Sequence, residues 1–228
     1  MTAYLFEPAA QFVLPVIGHD SVFPVRRIFC VGRNYAAHAA EMGNEVDRQT
    51  PFYFTTSPAN ATLGGTVRYP DGTSNYHHEV EFVVALDKPA HHTSSDAALD
   101  CVFGYGVGLD MTRRDLQSNA KEKRRPWCLG KDCEDGAILS ALTAKEEFGT
   151  ISEQMIQLCV NDKIVQQSTL DLMVHSVPEL ISHLSGFYHL QAGDIIMTGT
   201  PEGVGPVEKG DRLVATIDGL STLQAHFS

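Results

Sequence analysis

The chain has 228 residues, a formal net charge of −11 and 43% apolar residues. A chain of this length can bury a core without disulfide crosslinks, and its ordinary globular composition excludes disordered, collagen-like and coiled-coil proteins. No apolar run reaches the roughly 20 residues of a transmembrane helix, and the N-terminus predicts no signal peptide. The acidic balance argues against nucleic acid as a partner, because phosphate binding needs clustered lysines and arginines.

The cysteines and the one basic run carry little functional signal. Five cysteines, an odd number, occur without a Cys-x-x-Cys pair, which predicts neither a disulfide framework nor a zinc site. This pattern favours a reducing cytoplasm. Residues 121–125 (KEKRR) are predicted to be the solvated end of a helix, and a binding-module function would depend on this run alone.

The first half of the chain predicts short strands mixed with short helices. Residues 1–25 carry three prolines and are predicted to form an N-terminal arm, followed by a single domain over residues 26–228. Predicted strands cover residues 26–32, 51–55, 61–69, 78–86 and 102–111, and predicted helices cover 35–42, 94–101 and 115–124. Gly43 directly follows the helix predicted over residues 35–42, at the position where a glycine commonly ends a helix.

The second half continues the same mixture. Residues 156–166 and 216–227 are predicted to form hairpins, with Asn-Asp and Asp-Gly as their turn sequences. Ser176 and Glu179 have the spacing of a capping box, which predicts a helix, and residues 194–198 predict a strand. Many short strands without regular βαβ alternation predict an α+β fold with a sheet-dominated core, and disfavour a doubly wound fold.

A pair of carboxylates with one residue between them gives the sharpest chemical signal. If the chain is extended there, Glu79 and Glu81 point to the same face. Two carboxylates on a buried face cannot both stay ionised without a cation, and Mg²⁺ or Mn²⁺ is the natural partner. The alternative is a solvated sheet face with alternating charge. The apolar continuation over residues 82–86 favours a strand that is covered on both faces.

Other polar residues are ambiguous when each is taken alone. Asp110 ends a glycine-rich strand and could be a metal ligand or a helix N-cap. His38 and Glu41 lie three apart on a predicted helix, which suits either a general base or a surface pair. Lys131 could be an ordinary surface charge. The Gly-rich segment 198–205 could cradle a carboxylate with backbone N–H groups or could be a connecting turn.

Taken together and in order, five motifs closely resemble the fumarylacetoacetate hydrolase family. They are Arg33-Asn34-Tyr35-x-x-His38-x-x-Glu41, His77-His78-Glu79-x-Glu81, Asp110-Met111-Thr112-x-Arg114-Asp115-x-Gln117, Leu129-Gly130-Lys131 and Gly199-Thr200-Pro201-x-Gly203-Val204-Gly205. The resemblance extends from about Arg26 to about Val207. The chain length and the opening residues 23–43 are most similar to the branch of the family that hydrolyses fumarylpyruvate.

The resemblance implies a mixed β-roll of the family's C-terminal-domain type, with few short helices and usually assembled as a homodimer. It implies Mg²⁺ or Mn²⁺ held by Glu79, Glu81 and Asp110. It assigns water activation to His38 and Glu41 on a lid segment, and stabilisation of negative charge to Lys131. The residues expected to bind substrate are Arg33, Tyr35, Arg114, Gln117 and Thr200.

The implied reaction is hydrolysis of the C–C bond of an acylpyruvate, a 2,4-dioxo acid. Fumarylpyruvate would yield fumarate and pyruvate, as in gentisate-type aromatic catabolism. Water adds to the distal carbonyl, and cleavage expels pyruvate as its enolate, beside the metal and Lys131. The distal carboxylate of the substrate then needs its own polar partner, for which Arg33 and Arg113 are the candidates.

Three alternatives remain on the same scaffold: an oxaloacetate decarboxylase, a 2-oxo acid isomerase or hydratase, and a non-catalytic binding protein. The His38–Glu41 pair favours hydrolysis, because decarboxylation needs no nucleophilic water. Two departures from the family pattern bear on the substrate. Thr56 stands where the family often has lysine, and Asp132-Cys133-Glu134 replaces the small and aromatic residues that usually follow Lys131.

Overall fold

The computed structural model describes residues 3–43 and 45–228. Short strands form most of this part of the chain. In chain order they are β1 (Val13–Pro15), β2 (Val22–Pro24), β3 (Arg27–Gly32), β4 (Phe52–Thr56), β5 (Ala61–Leu63), β6 (Gly65–Val67), β7 (Tyr76–His78), β8 (Val80–Leu86), β9 (Val102–Asp110), β10 (Thr112–Arg113), β11 (Ala137–Leu139), β12 (Thr143–Ala144), β13 (Met155–Val160), β14 (Lys163–Thr169), β15 (Asp194–Met197), β16 (Gly205–Val207), β17 (Arg212–Ile217) and β18 (Leu223–Phe227).

The helices are few and short, as an α+β chain with a sheet-dominated core requires. They are α1 (Ala36–Glu41), α2 (Ser95–Ala98), α3 (Arg114–Glu122), α4 (Cys128–Lys131), α5 (Lys145–Phe148) and α6 (Val177–Ser185). Single turns of 3₁₀ helix cover Pro58–Asn60, Leu99–Cys101 and Leu170–Leu172. None of the helices described here is long and apolar enough to cross a membrane.

Two mixed sheets enclose the main core. The larger has the order β4-β3-β15-β8-β9-β11-β5, with β12 also paired to β9, and the smaller has the order β14-β13-β17-β18-β6. Side chains from both sheets meet in one apolar cluster that includes Phe82, Leu109, Leu158 and Phe227. The predicted α+β class and mixed β-roll are therefore confirmed.

Strand β8 lies inside the larger sheet, between β15 and β9. Every one of its residues, Val80–Leu86, is buried, including Glu81. The prediction of a strand covered on both faces is confirmed, and the alternative of a solvated, alternating face is wrong. A carboxylate at this position is consequently shielded from bulk solvent.

The single strand predicted over residues 61–69 is wrong, because the chain changes sheets in the middle of it. β5 pairs with β11 in the larger sheet, and β6 pairs with β18 in the smaller one. A Cβ on Gly64 would lie 2.3 Å from the carbonyl oxygen of Gln224, so only glycine fits this close approach. Gly65 follows with a φ of +105°, which L side chains rarely adopt.

The local turn and cap signals agree with the structure. The turn between β13 and β14 has φ of +49° at Asn161 and +66° at Asp162, the combination that suits a two-residue hairpin. In the capping box of α6, the Ser176 backbone N–H donates to Glu179 Oε2 at 2.7 Å. Helix α1 ends before Gly43, whose φ is +69°. These predictions depend on local chemistry, and they are confirmed.

The segment predicted as an N-terminal arm contains the β1–β2 hairpin. Leu14 and Phe23 of this hairpin are buried in a second apolar cluster together with Ile28 and Met197. The Leu142 backbone N–H also donates to the carbonyl of Pro15 at 2.9 Å. The hairpin thus packs on the larger sheet, while the boundary after residue 25 stays a prediction.

Candidate active site

Three carboxylates form the floor of a cavity at one end of β8 and β9. Antiparallel pairing sets Val80 opposite Leu109, so the start of β8 lies beside the end of β9. The Asp110 backbone N–H donates to the Glu79 carbonyl at 2.9 Å, which fixes the two strand ends together. Glu79, Glu81 and Asp110 are all buried, and each offers an oxygen within 4.8 Å of the others.

Two cations contact this acidic floor, but they do not reach all of it. Lys131 Nζ lies 2.6 Å from Glu79 Oε2 and 2.6 Å from Asp110 Oδ2. Arg114 Nη2 donates to Glu79 Oε1. Glu81 instead accepts a hydrogen bond from the Gly199 backbone N–H at 2.8 Å, and no ion pair involving Glu81 occurs among the described residues.

The pKa values show where positive charge is lacking. Burial, and then the charge of Asp110, raises the pKa of Glu81 well above its usual range. Burial raises the pKa of Asp110 to about 6, against the opposing effect of Lys131. Burial disfavours the ionised form of Glu79 as well, but Lys131 and Arg114 hold its pKa below the usual range.

The residues present fit a hard divalent cation. Three buried carboxylates face two cations, and the carboxylate without a cation partner, Glu81, is the one whose charged form is most disfavoured. A divalent ion among the three oxygens would supply the missing charge, and carboxylate ligands suit Mg²⁺ or Mn²⁺. The predicted ligands Glu79, Glu81 and Asp110 are thus brought together as a group that could hold a metal.

Helix α1 covers this floor. His38 is 8% exposed and lines the cavity, and its Nδ1 lies 3.4 Å from Glu41 Oε2. Burial lowers the pKa of His38, although Glu79 and Glu41 oppose this effect. The carboxylate of Glu41 accepts from the Gly203 backbone N–H, with both oxygens 3.1 Å away. A neutral imidazole is therefore held over the acidic floor by a carboxylate that is fixed to another segment.

Helix α1 forms the cover of the cavity, and one buried side chain fastens the start of this cover to the sheet. Asn34 Nδ2 donates to the carbonyl of Thr198 at 2.8 Å and to that of His175 at 3.0 Å. Its Oδ1 accepts from the His175 backbone N–H at 2.8 Å. These bonds fix the start of the cover beside β15, while α1 itself extends away from this anchor.

Most of the sequence-predicted site residues line one cavity. Its wall contains Arg33, His38, Glu79, Glu81, Asp110, Arg114, Gln117, Lys131 and Thr200. Glu41 lies behind His38 and outside the wall. Tyr35 is also outside the wall: it is 2% exposed, and its hydroxyl has no hydrogen-bond partner within the described part of the chain.

Comparison with known proteins identifies the scaffold. The family model described as fumarylacetoacetate hydrolase, C-terminal, matches residues 27–228. The chain belongs to the fumarylacetoacetate hydrolase family. This confirms the resemblance that the five motifs indicate.

Several members of the family align with most of this chain. It is 46% identical to a fumarylpyruvate hydrolase from a Ralstonia species over 186 residues, covering 80% of the chain and 96% of that protein. It is 38% identical to a mitochondrial oxaloacetate tautomerase from Arabidopsis thaliana, covering 87% and 89%. The crystal structure of fumarylpyruvate hydrolase from Pseudomonas aeruginosa with Mn²⁺ and pyruvate is 43% identical, with a TM-score of 0.95 and 99% of both chains covered.

The structure explains one departure from the family pattern. Asp132 Oδ1 accepts from the backbone N–H of Ser57 at 2.9 Å and from Asn60 Nδ2 at 2.6 Å. It therefore ties the end of α4, directly after Lys131, to the chain that follows β4. Thr56, in the position that is often lysine in the family, is 4% exposed and donates its hydroxyl to the Lys131 carbonyl at 3.4 Å.

A buried glutamine, which the sequence did not single out, supports the glycine-rich segment. Gln166 Nε2 donates to Thr200 Oγ1 at 2.9 Å and to the Pro201 carbonyl at 2.8 Å. Its Oε1 accepts from the Val80 backbone N–H and lies 3.0 Å from His78 Nδ1. A side chain from the smaller sheet thus fixes Thr200 relative to the start of β8.

Two further differences concern the cations. Arg113 does not line the cavity, and its guanidinium donates to the Leu129 carbonyl at 3.4 Å. The prediction that residues 121–125 form a solvated helix end is wrong for Lys121, which is half-buried and lines the cavity with Trp127. The signal that could have revealed it is spacing, because Arg114, Gln117 and Lys121 share one face of α3.

Proposed function

We propose that this protein is a metal-dependent acylpyruvate hydrolase that cleaves fumarylpyruvate into fumarate and pyruvate. One observation carries the proposal: the paired His38 imidazole and the carboxylate group Glu79, Glu81 and Asp110 line the same cavity. A base for water and a site for a divalent ion are the two parts that this hydrolysis requires. The names of two similar proteins, and the Mn²⁺ and pyruvate in the structure of one, support this choice of substrate.

We assign the binding roles from the positions of the side chains. Glu79, Glu81 and Asp110 would hold Mg²⁺ or Mn²⁺, which acts as a Lewis acid toward the 2-oxo acid end of the substrate when bound. Arg114 Nη1 donates to Gln117 Oε1 at 2.7 Å, which fixes both groups for substrate binding. Arg33 and Thr200 line the cavity and complete the proposed substrate site, whereas Tyr35 lies outside the cavity wall and keeps its proposed role from the family resemblance alone.

His38 is the proposed base. Its pKa is lowered by burial, so the imidazole is neutral near pH 7. With its Nδ1–H donated to Glu41, its Nε2 is left to accept a proton from water. The water oxygen bonds to the distal carbonyl carbon, which becomes the new carboxylate of fumarate.

Lys131 acts on the other fragment. As the C–C bond breaks, its electron pair stays with the three-carbon fragment as an enolate, which takes up a proton to become pyruvate. Lys131 keeps its charge because Asp110 and Glu79 raise its pKa against the effect of burial. A fixed ammonium in a buried site stabilises such developing negative charge without reorganising.

A second candidate is tautomerisation of oxaloacetate, the activity that names several relatives at 36–39% identity. Oxaloacetate carries the same 2-oxo acid group, and the enolate formed when its CH₂ group loses a proton places negative charge where Lys131 could stabilise it; reprotonation on oxygen gives the enol. Tautomerisation needs no attacking water, whereas the proposed role of the His38–Glu41 pair is to activate one.

A coupled assay separates these candidates. Chelator-treated protein is mixed with fumarylpyruvate or oxaloacetate, with and without Mg²⁺ or Mn²⁺, and fumarate, pyruvate and the enol are each quantified. We expect metal-dependent release of fumarate and pyruvate in equal amounts. Metal-dependent conversion of oxaloacetate tautomers without cleavage of fumarylpyruvate would instead establish the second candidate.

We also propose that the protein is a cytoplasmic homodimer acting in aromatic catabolism of the gentisate type. The five unpaired cysteines suit a reducing compartment. Large exposed apolar side chains such as Leu129 and Phe187, each 72% exposed, suit burial against a second copy. Light scattering should give twice the chain mass of 24.9 kDa, and a mass equal to one chain would refute the dimer.

A further inference from the structure

The cations that line the cavity fall into two groups. Arg114 and Lys131 lie at its floor and are paired with Glu79 or Asp110. Arg33 and Lys121 belong to the same wall, but neither makes an ion pair within the described ranges 3–43 and 45–228. The floor cations are already paired with carboxylates of the protein, whereas Arg33 and Lys121 have no carboxylate partner among the described residues. They are therefore the cations left for a second charge at the distal end of a ligand.

Lys121 is directed to the cavity by helix α3. It is seven residues beyond Arg114 and four beyond Gln117, which puts all three side chains on one helix face. Its Nζ lies 4.8 Å from the centroid of the Trp127 ring. Burial, followed by the charges of Arg114 and Arg33, lowers its pKa to about 8. This ammonium therefore lies in a region of excess positive charge that a bound anion would relieve.

Two further aromatic rings pack around the Trp127 ring that lies beside this cation. The Trp127 ring lies 4.9 Å from that of Phe52 and 6.0 Å from that of Phe54, measured between centroids. Phe54 and Trp127 line the cavity, and Lys131 Nζ lies 5.1 Å from the Phe54 centroid. Flat apolar faces thus lie between the floor lysine and Lys121. Such faces suit a planar conjugated chain better than a branched or tetrahedral one.

We propose that Lys121 binds the distal carboxylate of the substrate, and that Phe54 and Trp127 pack against the planar chain between the two ends. The site would then select acylpyruvates whose acyl group is unsaturated and ends in a carboxylate. This inference depends on the proposed function for its substrate class. It assigns the distal carboxylate to Lys121 together with Arg33, in place of the Arg113 that the sequence suggested.

Binding can be measured without turnover, because Trp127 is the only tryptophan in the chain. Mg²⁺-loaded protein is titrated with fumarate and with crotonate, a planar four-carbon acid that has a methyl group in place of the second carboxylate. Intrinsic fluorescence reports both titrations. The test variant is Lys121→Met, which keeps the apolar stem on Trp127, and the matched control is Lys123→Met, at an exposed position just beyond α3.

We expect the dissociation constant for fumarate to rise about tenfold or more in Lys121→Met, as for loss of a charge-assisted hydrogen bond, with crotonate little changed. Lys121→Arg should retain the preference for fumarate, and Lys123→Met should match the unmodified chain. The inference is overturned if Lys121→Met keeps the fumarate preference, or if the unmodified chain has none.

Kinetics distinguish this inference from the proposed function. For each variant, kcat/KM is measured with fumarylpyruvate and with acetylpyruvate, which lacks a distal carboxylate. We expect Lys121→Met to lose activity on fumarylpyruvate about tenfold or more, with acetylpyruvate changed less than about threefold. Equal losses on both substrates would overturn the role of Lys121. An unmodified protein that hydrolyses neither acylpyruvate would refute the proposed function, while the fumarate titration would still decide whether Lys121 binds a second carboxylate.

Discussion

The floor and the cover of the cavity are built in different ways. The floor carboxylates lie where two central strands of the larger sheet meet, and each is 5% exposed or less. The cover is α1, a helix of six residues that is held by Asn34 at its base and by the Glu41–Gly203 contact at its far end. A rigid sheet is suited to holding an ion, and a short tethered helix is suited to opening for substrate.

The difference implies that metal binding and water activation can be separated by mutation. Changes in the floor should remove both, because the ion is needed for the reaction. Changes in the cover should reduce turnover and leave the ion in place. The experiments below test this separation, beginning with the largest expected effect.

Glu81→Gln should abolish metal-dependent turnover and weaken Mn²⁺ binding by at least about 100-fold, because a neutral amide replaces a ligand charge. Calorimetric titration with Mn²⁺ measures the affinity. The metal-free variant should be as stable as the unmodified chain or more so, since a buried carboxylate without a cation partner is removed. Glu208→Gln, at an exposed position, is the control. Unchanged metal affinity in Glu81→Gln would remove Glu81 from the proposed ligands.

His38→Gln should lower kcat/KM by about 10²- to 10⁴-fold, the usual contribution of a general base. Its Mn²⁺ affinity should stay within about twofold of the unmodified chain, because His38 belongs to the cover. The exposed His19 provides a matched control, His19→Gln. A large loss of metal affinity in His38→Gln would show that floor and cover are not separable.

The pH profile tests the state of His38. Because burial lowers its pKa, kcat/KM should stay high down to about pH 6.5, the ordinary histidine value, and fall only below it as the imidazole becomes protonated. Glu41→Gln should move this acidic limb to lower pH, since the carboxylate of Glu41 favours the protonated imidazole. We also expect about a tenfold lower plateau from loss of the orienting hydrogen bond. An acidic limb above pH 6.5, or one that Glu41→Gln leaves in place, would exclude His38 as the titrating group.

Gln166→Met should have the smallest effect. It removes the support of Thr200 and the hydrogen bond to the Val80 backbone N–H, and we expect KM to rise about 3- to 10-fold with kcat nearly unchanged. The neighbouring Gln167 is exposed, so Gln167→Met is a close control. A fall in kcat at unchanged KM would mean that this support serves the reaction step instead of substrate binding.

The parts of the site that could be predicted from sequence are those with a strong local pattern. Glu79 and Glu81 precede an apolar run, so their burial and need for a cation follow from a few neighbouring residues. The turn at Asn161-Asp162 and the capping box at Ser176 are equally local. Joining Asp110 to the glutamates required the family resemblance, since the pairing of β8 with β9 is a tertiary contact between distant residues.

The two wrong predictions, the strand over residues 61–69 and the solvated position of Lys121, also involve tertiary contacts that the local sequence does not show. Gly64 continues an acceptable strand pattern, and only the backbone of Gln224, far along the chain, makes it the point where the chain changes sheets. Lys121 is the first of five residues rich in charge, and such runs are normally solvated. The Trp127 ring that covers it approaches from the loop before α4, which no periodicity in α3 could reveal.

One segment touches both halves of the cavity. The Gly199 backbone N–H donates to Glu81 in the floor, and the Gly203 backbone N–H donates to Glu41 in the cover. Whatever moves this segment toward one carboxylate alters its bond with the other. By thermodynamic reciprocity, an ion that favours closure of α1 must be bound more tightly by the closed form, by the same factor. We therefore expect metal binding in the floor and water activation in the cover to be chemically separate. Their free energies should nevertheless be coupled, through the backbone of residues 199–203.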